Sequence, residues 1–327
     1  MQPFTVAWVL IFVGGYLVIY FLADFIIDNL KNLSESFRIS PIVLGLLILG
    51  VDLEESIVSL VAAANGLPYL SLGNIIGNTV IAIGIAFGLP ALYLKAKMNQ
   101  LPRFYYIEMI AASSLILCSM ILTSYLFLFG IVSLVLFIFH IVYTIRIQRD
   151  FKRSSQNLGH DEFTSDNALR RDDAEKNTKR SYLVFKLLIA LIILSIAAEI
   201  LVISAEQLVV LTGLNESFFG LIIMAAVTNV EEFWLIVKSI QKGQTAIGVS
   251  AQVGKIIWNT TLIFGLSSLL IFQFPSQMVM ILSSIILFFA VIVLTVNLTQ
   301  NRMSKVAGIG YLSILLVFLL LNFLFIY

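Results

Sequence analysis

Ten apolar runs of about 20 residues each constrain the fold of this chain more than any other feature. Each run is long enough to cross a bilayer as an α-helix, which satisfies its own backbone hydrogen bonds where water is absent. Composition agrees, because 60% of the 327 residues are hydrophobic, 12% are charged and the mean hydropathy is +1.01. We therefore expect an all-α membrane protein with ten transmembrane helices. The predicted spans are residues 7–27, 41–64, 72–94, 105–123, 125–145, 182–209, 218–240, 245–272, 277–298 and 306–327.

The basic residues divide the loops into two classes. Loops after the odd-numbered spans contain or adjoin Lys and Arg, whereas loops after the even-numbered spans contain neither. Basic loops usually stay in the cytoplasm, so we expect both termini on the extracytoplasmic side of the cell membrane. Five spans precede the charged stretch 149–181 and five follow it, which gives the two halves opposite orientations. The prediction is two inverted five-helix repeats, 1–148 and 182–327, joined by a cytoplasmic linker at 149–181.

An acidic pair occurs twice inside apolar segments, as Glu54-Glu55 and, 177 residues later, as Glu231-Glu232. In both copies the second Glu is followed by Gly at plus 11 and again at plus 22, which indicates an internal duplication. We place the two repeat units at about 41–94 and about 218–272. Other pairs at this offset are Asp52 with Asn229, Gly66 with Gly243, and Gly77 with Gly254.

Ionisable side chains at mid-bilayer depth are costly unless they bind something, so the acidic residues indicate an ion site. Asp52 and Glu55 share one helical face, and Asn229 and Glu232 repeat this geometry. Two such faces that meet across a pseudo-twofold axis give an oxygen-rich cage suited to a hard cation. The alternative is a buried structural network in which Lys255, the only deep basic residue, neutralises acids; five acids against one base leave a negative excess. These acids are Asp52, Glu54, Glu55, Glu231 and Glu232.

Two segments rich in small residues directly follow the acidic spans, at 73–79 and 248–254. Small residues allow close helix packing. Alternatively, they unwind a helix and turn its carbonyl oxygens toward an ion. Because of their position after the acidic spans, we expect unwinding.

Other chemistries have little support in the sequence. The single Cys118 excludes an internal disulfide and a Cys-based metal cluster, and His140 and His160 are too far apart to share a helix turn. An intramembrane enzyme would use a row of Asp residues near a membrane face, whereas Asp52 stands alone. We expect no enzyme, no bound cofactor and no nucleic acid partner at a net charge of +1. The expected partners are inorganic cations and the lipid bilayer.

These residues resemble the calcium/cation antiporter superfamily, which includes sodium/calcium and proton/calcium exchangers. The resemblance covers nearly the whole chain, from the five-plus-five spans to the two inverted repeats. The first repeat, through Asp52 and Glu55, is similar to the sodium/calcium branch. The second is more similar to the proton/calcium branch, which has Asn three residues before its essential Glu, as Asn229 precedes Glu232. The resemblance implies that Glu55 and Glu232 bind the transported metal cation and that spans one and six slide past an eight-helix core.

The chain departs from the family pattern at the site itself. Sodium exchangers have Gly-Thr-Ser-x-Pro-Glu, whereas this chain has Val51 and Asp52 in place of Thr and Ser. In the second copy Asn229 replaces the Ser, and the Ser after the second Gly becomes Lys255. Hydroxyl ligands for sodium are thus depleted while titratable groups are added, so we favour protons over sodium as the counter-ion.

The resemblance therefore implies a secondary active antiporter that exchanges Ca²⁺, or another divalent cation, against H⁺ or Na⁺. Lys255, Glu54 and Glu231 are the candidates for counter-charge or proton coupling. The alternative is a transport-impaired or regulatory cation-binding membrane protein in which Lys255 occupies a cation site. Beside Glu55 and Glu232, the predicted cation ligands are Asp52, Asn229, Thr228, Asn78 and Asn259.

Overall fold

The computed structural model describes residues 3–94, 101–157, 181–197, 199–200, 203–204, 207, 229–271, 277–300 and 303–326. Every regular element in these residues is helical, as the sequence predicts. The α-helices are α1 (Pro3–Phe37), α2 (Pro41–Leu44), α3 (Leu53–Ala64), α4 (Pro68–Ala82), α5 (Leu89–Tyr93), α6 (Arg103–Ile121), α7 (Leu126–Asn157), α8 (Ser181–Ala197), α9 (Val230–Gln241), α10 (Thr245–Ile257), α11 (Phe264–Leu270), α12 (Met278–Thr299) and α13 (Lys305–Ile326). Stretches of π-helix continue α2, α4 and α10, at Gly45–Leu49, Ile83–Gly88 and Trp258–Ile263.

Seven helical segments in the described residues are long and apolar enough to cross a membrane. They correspond to predicted spans one, three, four, five, eight, nine and ten. The helices α8 and α9 are the described parts of predicted spans six and seven, so the total of ten stays a prediction. The seven segments are Val6–Phe37, Pro68–Tyr93, Arg103–Ile121, Thr123–Phe151, Thr245–Leu270, Met278–Thr299 and Lys305–Leu324.

Predicted span two is not one continuous helix. The π-helical stretch ends at Leu49, the chain leaves helical geometry at Val51 and Asp52, and α3 begins at Leu53. Asp52 is the N-cap of α3, a position where a carboxylate accepts a hydrogen bond from a backbone N–H of the first turn. The break therefore places an acidic side chain at the start of a helix in the middle of the span.

The expectation that residues 73–79 and 248–254 unwind is wrong. Both segments lie inside continuous α-helices, α4 and α10. Glycine instead allows α10 to cross span two at close range. A Cβ added to Gly254 would lie 2.6 Å from the Leu46 carbonyl oxygen, and one added to Gly50 would lie 2.7 Å from the Gly254 Cα. Close packing, the alternative considered above, is thus the role of Gly248 and Gly254, whereas a Cβ at Gly73 would meet nothing within 4 Å.

Local structure repeats at the same offset as the acidic pairs. Helix α3 and helix α9 begin and end 177 residues apart, and so do the starts of α4 and α10. Between them, Gly66 and Gly243 adopt the left-handed conformation, with φ of 72° and 67°. Glycine is favoured there because it has no Cβ. The shared helix limits and the shared turn support the predicted duplication.

Apolar packing forms two clusters. The larger one lies among α4, α6, α10, α12 and α13 and includes Phe87, Tyr105 and Phe264. The smaller one joins Ile26 of α1 to Leu194 of α8. Helices α1 and α8, which belong to predicted spans one and six, therefore pack together in this smaller cluster, to which Leu44, Leu235 and Ile247 also contribute.

Candidate cation site

Asp52 lies at the centre of the candidate site, where the broken span presents its carboxylate to both repeats. Its Oδ1 accepts a 3.4 Å hydrogen bond from the Glu55 backbone N–H. Its Oδ2 accepts hydrogen bonds from the Asn78 amide at 3.0 Å and the Asn259 amide at 3.1 Å. The Lys255 ammonium lies 3.1 Å from the same oxygen. Three donors therefore converge on one carboxylate oxygen.

Lys255 links the two repeats through their acids. Its Nζ contacts the Oε1 of Glu232 as well as the Oδ2 of Asp52. All three side chains are at most 8% exposed. The second oxygen of Glu232, Oε2, has no hydrogen-bond partner among the described residues. One ammonium thus contacts two buried acids, and one carboxylate oxygen of Glu232 is left without a hydrogen-bond partner among the described residues.

The buried amides extend the site between the repeats. The Asn229 amide donates a 3.3 Å hydrogen bond to the Oδ1 of Asn78, and Asn78 in turn donates to Asp52. Asn229 is the N-cap residue of α9, as Asp52 is of α3. The pair predicted from the repeat therefore occupies equivalent positions. Both halves contribute an amide or a carboxylate at the start of the acidic helix.

Most of the predicted site residues lie together, with Glu55 and Glu231 at the edge. Glu55 is half-buried in the first turn of α3, and its ion-pair distance to Lys255 exceeds 4 Å, unlike those of Asp52 and Glu232. Glu231 is half-buried and lines the cavity described below. Thr228 and the side chain of Glu54 lie outside the described residues. Within the described residues, no three His, Cys or acidic side chains are grouped to hold a metal ion.

Three further residues, Trp258, Ser56 and Asn74, belong to the site but were not predicted from the sequence. The Trp258 indole donates a 2.9 Å hydrogen bond to the Ser56 hydroxyl, which donates to the Asp52 carbonyl oxygen. The Asn74 amide donates to the Glu55 carbonyl oxygen at 3.3 Å and to the Ser59 hydroxyl at 3.0 Å. Ser56 follows Asp52 by four residues, a spacing that places both on one helical face and was available as a signal.

A small cavity reaches Asp52 and Glu231 from one side. It has a volume of about 160 Å³ and lies between the end of the π-helical stretch, α8 and α9. Leu49, Leu194 and Leu235 contribute apolar walls. Asp52 and Glu231 therefore both border this cavity.

A second cluster of charged side chains, away from the cation site, connects α1 to the C-terminal end of α9. The Lys242 ammonium lies 3.0 Å from Asp24 Oδ2 and 2.6 Å from Asp28 Oδ2. Lys238 lies 3.6 Å from Asp24 Oδ1 and 3.6 Å from the centre of the Tyr20 ring. Burial alone would lower the pKa of Lys242, but its hydrogen bonds with Asp28 and Asp24 outweigh this and raise it. These contacts fix α1 against α9 in the described state.

Known proteins with similar sequences are membrane proteins. The chain is 26% identical over 275 residues to "Inner membrane protein YrbG" of Escherichia coli K12, covering 81% of this chain and 80% of the relative. It is 22% identical over 226 residues to "Uncharacterized membrane protein MJ0091" of Methanocaldococcus jannaschii, covering 68% of each. An integral membrane location is therefore supported by relatives as well as by the apolar helices.

The fold is that of a solved exchanger. The sodium-calcium exchanger NCX_Mj, soaked with 2.5 mM Na⁺ and 10 mM Sr²⁺, has a TM-score of 0.72 at 18% identity, covering 96% of this chain and 98% of the other. The same exchanger with 10 mM Na⁺ and zero Ca²⁺ has a TM-score of 0.73. The family described as "Sodium/calcium exchanger protein" matches residues 7–146 and 182–324. The chain belongs to this family of membrane transporters, and the expectation that it is not an enzyme is confirmed.

Proposed function

We propose that the protein is a secondary active antiporter that exchanges a divalent cation, Ca²⁺ first among them, against protons. The observation that carries the proposal is the Lys255 ammonium, which contacts Asp52 and Glu232 in the site that the two repeats build together. Lys255 takes the place of a hydroxyl residue in the family pattern. A positive charge fixed among the acids can hold the empty carrier together until a metal cation replaces it.

Binding of the metal cation and of the ammonium exclude one another at Asp52. Its Oδ2 already accepts from Asn78, Asn259 and Lys255, and a carboxylate oxygen has about two lone pairs. A metal cation bound at Oδ2 would also lie against the Lys255 ammonium, so repulsion between like charges displaces Lys255. Displacement costs least if Lys255 leaves as a neutral amine, because desolvation disfavours an ammonium without acidic partners. Its proton is released to the side from which the cation enters and is taken up again on the other side when the cation leaves, so proton and cation cross in opposite directions. This exchange supplies the coupling.

The oxygen ligands suit Ca²⁺, which takes six to eight of them. Glu55 and Glu232 contribute carboxylates, and the open Oε2 of Glu232 is a ready ligand. Rotation of the amides turns their carbonyl oxygens toward the cation in place of their NH₂ groups, which now point at Asp52 and Asn78. The complete proposed ligand set is Glu55, Glu232, Asp52, Asn229, Thr228, Asn78 and Asn259, with Glu54 and Glu231 adding negative charge at its edge.

Alternating access is assigned to α1 and α8, which supply most of the buried residues of the smaller apolar cluster. Leu49 lies on the cytoplasmic side of Asp52 if span two starts in the cytoplasm, as the basic loops predict. The 160 Å³ cavity then opens from the cytoplasmic half of the protein toward Asp52. A movement of α1 and α8 together along the core would close this cavity. The same movement would break the salt bridges between α1 and Lys242.

A second candidate function is a cation-binding protein that does not transport. The same Lys255 contacts favour it, because an ammonium held by two buried acids can occupy the site permanently. In that case only substitution of Lys255 opens the site to a metal cation.

Ion flux separates the two functions. The purified protein is reconstituted into liposomes, and ⁴⁵Ca²⁺ uptake is measured under an imposed proton gradient, an imposed sodium gradient and neither. The proposal expects uptake driven by the proton gradient and absent from the matched Glu232→Gln protein. Uptake driven by sodium alone would contradict proton coupling. No flux in the wild type together with flux in Lys255→Ser would establish the locked binding protein.

A further inference from the structure

A second buried ionisable pair lies outside the cation site, between α6 and α7. The Nδ1 of His140 lies 2.9 Å from the Oε2 of Glu108, and their side chains are 3% and 0% exposed. The sequence does not indicate this pair, because Glu108 and His140 are 32 residues apart in two different predicted spans. Ionisable groups buried at membrane depth are functional candidates unless something else explains them.

The carboxylate of Glu108 has room for another proton. Its Oε1 is buried and has no hydrogen-bond partner among the described residues, whereas its Oε2 is taken by His140. The His140 ring is packed against two aromatic rings. The Phe137 ring is nearly parallel to it at 13° and 5.9 Å, and the Tyr105 ring is inclined to it by 63° at 5.5 Å. Glu108 therefore offers its buried Oε1 to a proton while its Oε2 stays bonded to His140.

Among the residues that the structure describes, no other acid lies on the elements packed against α6 and α7. Helices α2, α11 and α12 and the stretch Trp258–Ile263 carry no charged residue, and α10 carries only Lys255. On their own helices, the titratable or charged residues of the described side chains are Arg103, Tyr105, Tyr106, Cys118, Tyr143, Arg146, Arg149 and Asp150, with Tyr125 in the turn between the two helices. Tyr105 is already engaged, since its hydroxyl lies 2.9 Å from that of Thr144. Any proton that neutralises Glu108 is therefore shared with His140 alone.

A continuous set of contacts joins this pair to the cation site. Phe137, stacked on His140, meets the Trp258 ring edge-on at 5.7 Å. Trp258 donates to Ser56, which donates to the carbonyl oxygen of Asp52. The next residue, Asn259, donates to the Asp52 carboxylate at 3.1 Å. A change of charge at His140 and Glu108 thus acts on the turn that contains Trp258 and Asn259. These two residues contact Asp52, one through Ser56 and the other directly.

We propose that Glu108 and His140 form a second proton-binding site, which takes a proton at Glu108 Oε1 and thereby weakens cation binding at Asp52. Protonation adds one positive charge inside the membrane, on the far side of Trp258 from the acids that bind the cation. Glu108 is five residues from the start of α6, about 7.5 Å along the helix. By the predicted orientation this is the cytoplasmic end, so the proton comes from the cytoplasm. The effect on cation binding rests on the proposed function, whereas proton uptake by the pair does not.

Proton uptake is tested without transport. In a Trp8→Phe/Trp234→Phe background, Trp258 is the one remaining indole, and its fluorescence is followed against pH with no divalent cation present. Infrared difference spectra follow the carbonyl band of a protonated carboxyl over the same range. We expect a one-proton transition in both signals, lost in Glu108→Gln and in His140→Asn. The matched control is Thr144→Val, which removes a neighbouring hydroxyl but no titratable group and keeps the transition. A transition that persists unchanged in Glu108→Gln, or none in the parent protein, overturns the site.

Coupling is tested by the apparent Ca²⁺ affinity of reconstituted protein at several cytoplasmic pH values. We expect acid to weaken Ca²⁺ binding about tenfold through this pair, within the usual range for coupled sites. Glu108→Gln removes that part of the pH dependence. Trp258→Phe keeps the infrared transition and loses its effect on Ca²⁺ affinity. If Glu108→Gln removes the infrared transition but leaves the pH dependence of Ca²⁺ affinity intact, the coupling is refuted and the antiport function is unaffected. If Ca²⁺ is not bound at all, the proposed function fails while the infrared result still decides the proton site.

Discussion

Replacing Lys255 by Met tests the site geometry most directly. The substitution keeps a long, unbranched side chain and removes the ammonium that contacts Asp52 and Glu232. Both acids then remain buried without a counter-charge, at 8% and 5% side-chain exposure. Breaking a buried ion pair by removal of one partner costs about 3–5 kcal/mol. For a chain of this size we expect the unfolding midpoint to fall by roughly 6–10 °C.

A divalent cation should reverse this loss. Once Lys255 is gone, Ca²⁺ meets two unpaired carboxylates and no competing ammonium, so it binds the variant more tightly than the wild type. At 100 times its dissociation constant a ligand stabilises the protein that binds it by about 2.7 kcal/mol. Ca²⁺ is therefore expected to return most of the lost stability to Lys255→Met.

Thermal unfolding in detergent, with and without Ca²⁺, measures both effects. Lys242→Met is the matched control, because Lys242 also contacts two acids but these are 42% and 57% exposed. Salt bridges of that kind contribute about 0–1 kcal/mol, so the control should unfold near the wild-type temperature and should not gain from Ca²⁺. Equal midpoints for Lys255→Met and the wild type, with equal responses to Ca²⁺, would refute the view that Lys255 neutralises the cation site.

Three other expectations follow from the fold and the site. Glu55→Gln keeps the side-chain volume and removes a ligand charge, so Ca²⁺ flux should fall at least tenfold, and wild-type flux would exclude Glu55 as a ligand. Cysteines at Asn65 and Lys242, which lie at equivalent ends of α3 and α9, should react with an impermeant thiol reagent from outside and from inside respectively; labelling from one side would contradict the inversion. Gly254→Ala should cost about 1–3 kcal/mol by overpacking, while Gly73→Ala, with nothing within 4 Å of the added Cβ, should be neutral or stabilising; equal stability of the two variants would refute the tight crossing.

Much of this architecture follows from the sequence because it depends on length and spacing. An apolar run long enough to span must become a helix, and the offset of 177 predicted which residues occupy equivalent positions. Asp52 and Asn229 are both N-caps, as the repeat requires. The depth of Lys255 was also predictable from the sequence, because Lys255 lies well inside an apolar run, away from either membrane interface.

Features that depend on contacts between distant segments of the chain could not be predicted from the sequence. Helix α10 stays continuous where Gly254 meets Gly50 of span two, and from the sequence alone glycine permits either unwinding or such a close approach. The contact between Glu108 and His140 joins residues that are 32 positions apart on two helices, and no periodicity in the sequence predicts it. The contact of Trp258 with Ser56, 202 residues away in the chain, belongs to the same class.

In the sequence, Asp52 and Lys255 are two separate departures from the family pattern, whereas in the structure they form one ion pair. Each stands where that pattern has Ser, and they lie 3.1 Å apart, so one added negative charge faces one added positive charge. The net charge at the site is therefore the same as with two serines. We expect Asp52→Ser or Lys255→Ser alone to leave a buried charge unpaired, and the double variant to be less impaired than the sum of the two. Thermal unfolding and apparent Ca²⁺ affinity of the four proteins give the coupling, expected at about 1–3 kcal/mol for contacting residues. Strictly additive effects would mean that the two residues do not act as a compensating pair, and that the ammonium serves Glu232 alone.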